Sequence, residues 1–199
     1  MECAHEAPAG EQTQYAELYK VRHSLAHVMA QAVLQIRPKA KLAFGPPIDT
    51  GCYYDFDLEE PLTEDDFKDI EKRMRKIIGQ KQEFVASTRS ASEAVKYLEE
   101  QGESYKVEYC KELADGGETE LGFYVNGPFE DMCAGPHVEH TGKIDPKCFK
   151  IDSVAGAYWR GDEKNPQLTR LYLLAFENNE RLKDFIKKRE LAKARDHRK

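Results

Sequence analysis

The stretch from about Gln14 to Arg37 leaves the chain little freedom in how to fold. Leu25, Val28, Met29, Ala32, Val33 and Ile36 recur at three- and four-residue spacing, which predicts an α-helix with one apolar stripe that stops at Pro38. The same helix carries His23 and His27, four residues apart and therefore one turn apart on one face. At 100° per residue both fall almost opposite the stripe. They are not plain core histidines: they face open solvent or a cleft whose far wall comes from elsewhere in the chain. Ala26 and Ala30 beside them are small and leave room for something to approach.

The remaining segments alternate between helices and hairpins. "KLAFGPPIDTGCYYDFDL" reads as strand, turn, strand, with Gly45-Pro46-Pro47 and Asp49-Thr50-Gly51 as breakers. Thr63 with Asp66, and Ser90 with Glu93, have the spacing of capping boxes and open helices that run to about Ile78 and Glu100, the second stopped by Gly102. A strand around 83–88 lies between them, and a short helix is expected over 104–113. Asn126-Gly127-Pro128 turns one strand pair, and the polar loop DEKNPQ joins another, "FKIDSVAGAYWRG" to "LTRLYLLAF". A long charged helix follows from about Glu177. The order predicts an α+β fold: antiparallel hairpins packed with helices, a long central helix carrying His-x3-His, and a C-terminal helix.

No apolar run approaches the ~18–20 residues of a membrane span, and the first residues, MECAHEAPAGEQTQ, have neither signal- nor transit-peptide character. Cysteines at 3, 52, 110, 133 and 148 are odd in number and form no C-x-x-C, which fits reduced thiols and a cytoplasmic address rather than a disulfide framework. The net charge of -6 argues against a nucleic-acid partner, but it is uneven: residues 181–199 hold nine Lys/Arg against three Asp/Glu. A basic helix on an acidic body suits either a phosphate contact or a solvated, salt-bridged surface.

"DMCAGPH" places Cys133 and His137 four apart across Gly135-Pro136, where the chain must bend. With His23 and His27 this makes four potential nitrogen and sulfur ligands. The set suits tetrahedral zinc as a structural site, or a hydrolytic site with one ligand replaced by water. Incidental placement of either pair is the plain alternative.

"HSLAHVMAQAV", "FGPPIDTGCYYDFDLEEPLTEDDFKDIEKRM", "ESYKVE", "FEDMCAGPHVEHTGKI", "SVAGAYWRGDEKNPQLTRLY" and "AKARDHRK" occur in this order. From about Val21 to Lys199 the sequence resembles the editing domain, N2, of bacterial-type threonyl-tRNA synthetase, and shares its His and Cys pairs with the alanyl-tRNA synthetase editing family. The resemblance implies a proofreading hydrolase that cleaves the ester of mischarged Ser-tRNA(Thr) and spares Thr-tRNA(Thr). Its pocket would be His23, His27, Lys106, Asp131, Cys133 and His137. Of these, His23 would position or deprotonate water and Lys106 would stabilise charge or donate a proton. Asp131 and Cys133 would meet the seryl amino and hydroxyl groups, and His137 would orient. Tyr53 and Tyr54 would wall the pocket or stack on the terminal adenine.

The resemblance implies no metal cofactor in the threonyl branch. His23, His27, Cys133 and His137 are the ligands if zinc is present, as in the alanyl relatives. "GAYWRGD" is expected to be structural, with Tyr158 and Trp159 packed and Arg160 or Asp162 in a turn salt bridge. The chain departs from the family in reading Ala134 where many members carry Arg. Residues 1–20 are expected as a flexible leader, 21–176 as the editing domain and 177–199 as a basic linker helix. Catalytic and anticodon-binding domains would follow in a full synthetase, so this chain is not expected to use ATP or to activate threonine. A non-catalytic tRNA-binding appendage and a zinc-dependent alanyl-type editing domain are the competing readings.

Overall fold

The computed structural model describes residues 9–196. Its organising element is α1 (Ala9–Ile36), which starts earlier than the periodicity predicts. Residues 9–20, expected as part of a flexible leader, are therefore helical, and the rest of that expected leader lies outside the described residues. From Arg22 to Val33 every side chain of α1 is buried, so the helix is covered on all sides rather than along one stripe.

The chain then runs through β1 (Lys41–Leu42), β2 (Pro47–Ile48), β3 (Gly51–Asp57), α2 (Phe67–Gly79), β4 (Phe84–Ser90), α3 (Ala91–Gln101), α4 (Ser104–Asp115), β5 (Glu120–Asn126), β6 (Phe129–Met132), β7 (Phe149–Tyr158), β8 (Gln167–Ala175) and α5 (Asn179–Asp196). Two antiparallel sheets result. One has the order β1-β3-β8-β7 with β2 beside β3, and the other is β4-β5-β6. This is the α+β arrangement the sequence predicts. Among the described residues no helix is long and apolar enough to cross a membrane.

The apolar stripe of α1 packs on the larger sheet and on α2. Leu25, Val28, Met29 and Val33 share a core with Tyr54, Phe56, Ile70, Met74, Ile77, Leu171 and Leu173. Complete burial of a Leu, Ile or Met side chain is worth about 1.5–3 kcal/mol, so this core fixes where α1 lies. Its opposite face, with His23, Ser24, His27 and Gln31, is closed by the smaller sheet and the loop after β6, since the His27 ring packs on Phe84 and Phe129. Of the two settings the sequence leaves open for the histidines, the structure selects the cleft.

Both capping boxes form. Asp66 Oδ2 accepts the Thr63 N–H at 2.9 Å, and Glu93 Oε2 accepts that of Ser90 at 3.1 Å. A bulge in β7 between Ile151 and Ser153 frees Asp152 to take a two-pronged bond from Arg189 of α5, at 2.8 and 2.5 Å, which holds the basic helix to the sheet edge.

Gly122 in β5 is the glycine that matters most to the site. A Cβ there would lie 2.7 Å from the Cys133 carbonyl oxygen, because the loop after β6 crosses directly over this residue and Cys133 N–H donates to Gly122 O at 3.0 Å. We expect Gly122→Ala to destabilise the fold by about 1–3 kcal/mol in urea titrations, as other forced overpacking does. Gly79→Ala, where nothing lies within 4 Å, should be neutral or slightly stabilising. Equal stability of the two variants would show that the loop does not press on β5.

Candidate active site

The stretch from Asp131, near the end of β6, through the following loop to His137 sits where α1, the smaller sheet and α4 meet. Gly135 adopts a left-handed conformation at φ 71°, and its α-carbon passes so close to Tyr124 that a Cβ would lie 2.6 Å from the hydroxyl. The His137 ring is then sandwiched between His23, with centroids 4.1 Å apart, and Phe84 at 4.6 Å.

A hydrogen bond fixes which nitrogen carries the proton in the His23 imidazole. A carbonyl can only accept, so His23 donates its Nδ1–H to Pro136 O at 3.2 Å, which leaves its Nε2 as an acceptor. The Ser24 hydroxyl accepts the Val138 N–H at 3.1 Å and shares a hydrogen bond of 3.1 Å with His137 Nδ1. The other ring nitrogen of His137, Nε2, stands 3.2 Å from Cys133 Sγ. These bonds also clip the loop to α1.

Lys106, in the first turn of α4, is only 3% exposed. Its ammonium is bonded to Asp131 Oδ1 and lies 3.3 Å from the Tyr54 hydroxyl, which in turn donates to Asp131 Oδ2 at 2.6 Å. His27 Nε2 is 3.7 Å from the same oxygen. An ion pair this deep is stable only when its remaining bonding capacity is used, and Tyr54 does part of that.

The sequence "GAYWRG" acts at one remove by anchoring α4. Trp159 is buried against Tyr105 and donates to Glu108 at 3.2 Å, and Arg160 bonds Glu108 at 2.9 Å and also Glu112. The expected turn salt bridge is thus a bridge to another helix, and Tyr158, expected to pack, is 42% exposed because it stands at the end of β7. At the start of α4, Glu103 accepts the Leu42 N–H at 3.0 Å.

A cavity of about 540 Å³ opens over this group and is bounded by His23, His27, Lys106, Asp131, Cys133 and Tyr53. That volume suits an amino acid joined to a nucleoside. Tyr53 is braced by Arg170, 3.9 Å above its ring, which itself forks onto Asp55 at 2.7 and 2.8 Å. Tyr54, expected beside it in the wall, is fully buried behind Asp131, and His137 stands behind Cys133; neither bounds the cavity.

Sequence reasoning missed Tyr19, Phe44 and Tyr109 on the rim. Tyr19 falls in the segment read as a leader, and Phe44 was absorbed into a strand-turn pattern. Ser24 and Phe84 were missed as well, because nothing local to them signals a distant imidazole. A second cleft of about 500 Å³ lies at the start of α1 between Glu17, Lys143, Phe176 and Arg181. It has no imidazole, and burial pushes its one thiol, Cys148, up to about 12.

Burial sets the charge state of the site. Desolvation lowers the pKa of His23 and takes that of His27 well below its ordinary value, and it carries His137 down to about 2 with help from the neighbouring imidazoles. Desolvation first, and then Asp131, pushes the Cys133 thiol up to about 12. A thiol held protonated is a poor nucleophile, so the arrangement suits attack by water. As for a metal, one donor atom from each of His23, His27, Cys133 and His137 lies within 4.8 Å of all the others. The donor types fit zinc, though ligand bonds of about 2.0–2.3 Å would need these atoms drawn closer and the Cys133 proton released.

Comparison with known proteins bears on this geometry directly. Residues 121–172, which include Asp131, Cys133 and His137, match the family described as the threonyl and alanyl tRNA synthetase second additional domain. The chain is 50% identical over 182 residues to the threonine--tRNA ligase of Borrelia hermsii, covering 92% of this chain and 30% of that protein. It is 49% identical over 178 residues to that of Acetivibrio thermocellus (89% and 27%) and 48% over 179 to that of Maridesulfovibrio salexigens (90% and 27%). The chain thus spans about three-tenths of the length of these relatives, and the similarity covers the editing region of the synthetase.

The depressed imidazoles carry a pH signature. Unfolded, these histidines would titrate near 6.5, so below that pH the unfolded chain binds more protons than the folded one. Stability from the neutral cluster is therefore fully present above about 6.5 and lost as the pH falls toward the folded values, by up to about 1.4 kcal/mol per pH unit for each imidazole. Denaturant titrations between neutral and mildly acidic pH should show a shallower acid loss in His137→Gln than in the parent. Identical slopes would mean that His137 charges freely in the folded state.

Proposed function

We propose that this chain, similar over nine-tenths of its length to threonine--tRNA ligases, hydrolyses the ester of mischarged Ser-tRNA(Thr) and spares Thr-tRNA(Thr). The observation that carries the reading is the convergence on one cavity of an acceptor nitrogen on His23 and a buried Lys106–Asp131 pair. Water held at His23 Nε2 loses its proton as it attacks the seryl carbonyl. The Lys106 ammonium stabilises the oxyanion or protonates the departing ribose oxygen. Asp131 and Cys133 meet the seryl amino and hydroxyl groups, His27 lies against Asp131, His137 orients Cys133, and Tyr53 receives the terminal nucleoside.

The need for such a site follows from magnitudes. A single methyl gives only about 1–3 kcal/mol of discrimination, so a synthetic site that accepts threonine admits serine too often, and a second pocket must reject what the first accepts. In this reading residues 21–176 form the editing unit. Helix α5 with the basic residues up to Lys199 links it to the catalytic and anticodon-binding domains of a cytoplasmic synthetase. ATP is not consumed here.

We favour hydrolysis without a metal, because the Lys106 ammonium supplies positive charge in the same cavity as His23 and His27. The convergence of four donor atoms supports a second reading, in which His23, His27, Cys133 and His137 hold zinc. The ion would then act as a Lewis acid and lower the pKa of bound water.

Purified chain should release serine from Ser-tRNA(Thr) and leave Thr-tRNA(Thr) charged, with or without chelator. His23→Ala should lower release by about 10²–10⁴-fold, the range for a lost general base. Lys106→Ala should lower it by about 10²–10³-fold, with thermal melts to confirm folding. Absence of serine release at high protein concentration, with tRNA binding retained, would instead favour a non-catalytic tRNA-binding appendage. One zinc per chain in protein purified without a histidine tag, together with chelator inhibition, would establish the zinc reading.

A further inference from the structure

Two of the three clustered imidazoles have their rear nitrogen held by a named partner, Pro136 O for His23 and Ser24 Oγ for His137. His27 is 1% exposed, and its Nδ1 has no hydrogen-bond partner. Asn126, fully buried at the end of β5, has an unpartnered Oδ1. Its Nδ2 is already committed, since it donates to Gln82 Oε1 at 3.0 Å and to Gln31 Oε1 at 3.3 Å. An uncompensated polar group at this depth costs about 1–3 kcal/mol. His27 Nδ1 and Asn126 Oδ1 are thus a buried donor and a buried acceptor that each lack a mate, and Gln31, one turn from His27 on α1 and itself unpartnered at Nε2, already bonds the Asn126 amide.

We infer that Asn126 is a positioning residue whose carbonyl accepts the Nδ1–H of His27 and holds that ring in the tautomer with a free Nε2 lone pair. The Asn126 side chain is also the one neighbour that favours the protonated His27 ring, against burial, His23 and Lys106, as expected of an acceptor facing an imidazole N–H. Gln31, one turn after His27 on α1, and Gln82, just before β4, orient the Asn126 amide by occupying both its N–H groups. The consequence is chemical. His27 Nε2 lies 3.7 Å from Asp131 Oδ2 at the cavity wall, and with its proton on the far nitrogen it presents an acceptor there rather than a donor. His27 can then receive a hydrogen bond from a substrate ammonium or from water. The role of this tautomer in turnover rests on the deacylase reading; the tautomer itself does not.

Ring 15N–1H correlation spectra of the chain without substrate test it, with His27 identified by the signals lost in His27→Gln. The proposal expects a protonated Nδ1 and an unprotonated Nε2 on His27. Asn126→Asp keeps an acceptor of the same size, and Gln31 and Gln82 can rotate their amides to donate to it, so it should preserve the Nδ1–H signal. Asn126→Leu should lose it. In the deacylation assay the Leu variant should show kcat reduced by about 10–100-fold, the range for removing the outer partner of a functional imidazole, and the Asp variant should recover most of the loss. A protonated Nε2 in the parent protein overturns the inference, as does an unchanged tautomer in a folded Leu variant. Should the Leu variant not fold, the parent and Asp spectra still decide. Should the parent release no serine, the functional reading fails while the spectra still judge the tautomer.

Discussion

The arrangement of the site hinges on the buried pairing of Lys106 with Asp131. Two charges taken this far from water lose several kcal/mol of solvation each, and they are held only if geometry and neighbouring hydrogen bonds return it. Each requirement is met by a different part of the chain. Asp131 is delivered by β6, Lys106 by the first turn of α4, and the completing hydroxyl by Tyr54 from the centre of β3. These elements belong to both sheets and to the helix that bridges them, so the ion pair can form only in the assembled fold. Removing either partner would strand a charge, which is why the pair acts as a register pin as well as a chemical group.

That dependence explains the anchoring of α4 at both ends. Glu103 ties its start to β1, and Trp159 with Arg160 grips Glu108 and Glu112 further along. The turn holding Arg160 lies far along the chain from the pocket residues, yet it governs where Lys106 stands. A motif that is structural by chemistry is thus functional by placement. The same logic applies to Gly122 and Gly135, whose missing side chains let the loop bearing Cys133 and His137 lie against β5 and Tyr124.

The elements with local signals were legible in the sequence. Helical spacing gave α1 and α2, capping boxes placed the starts of α2 and α3, and glycine and proline breakers placed the hairpins. The burial of α1 all round was not legible, because its second face is polar and histidine-rich and is covered by segments a hundred residues away. Lys106 and Asp131 carried no local signal either. A lysine in a helix and an aspartate before a turn are ordinary on a surface, and only the resemblance of "ESYKVE" and "DMCAGPH" to a known family drew them in. The rim aromatics Tyr19 and Phe44 were hidden for the opposite reason, since each sits in a pattern with a sufficient local explanation.

The electrostatics of the cluster say how such a site can work near neutral pH. Three imidazoles and a thiol packed so closely cannot all carry charge, and burial keeps the imidazoles neutral and the thiol protonated. The formal charges that remain belong to Lys106 and Asp131, which cancel at rest. A developing oxyanion would therefore meet a preorganised ammonium in a site of low dielectric, with little competing field from the histidines. Neutral imidazoles are also what a base requires, since His23 can accept a proton from water only while its Nε2 is free. The carbonyl of Pro136 guarantees this by occupying the other nitrogen. The bend at Gly135-Pro136 accordingly does two things at once: it seats His137 behind Cys133, which bounds the cavity, and it supplies the oxygen that sets the tautomer of His23.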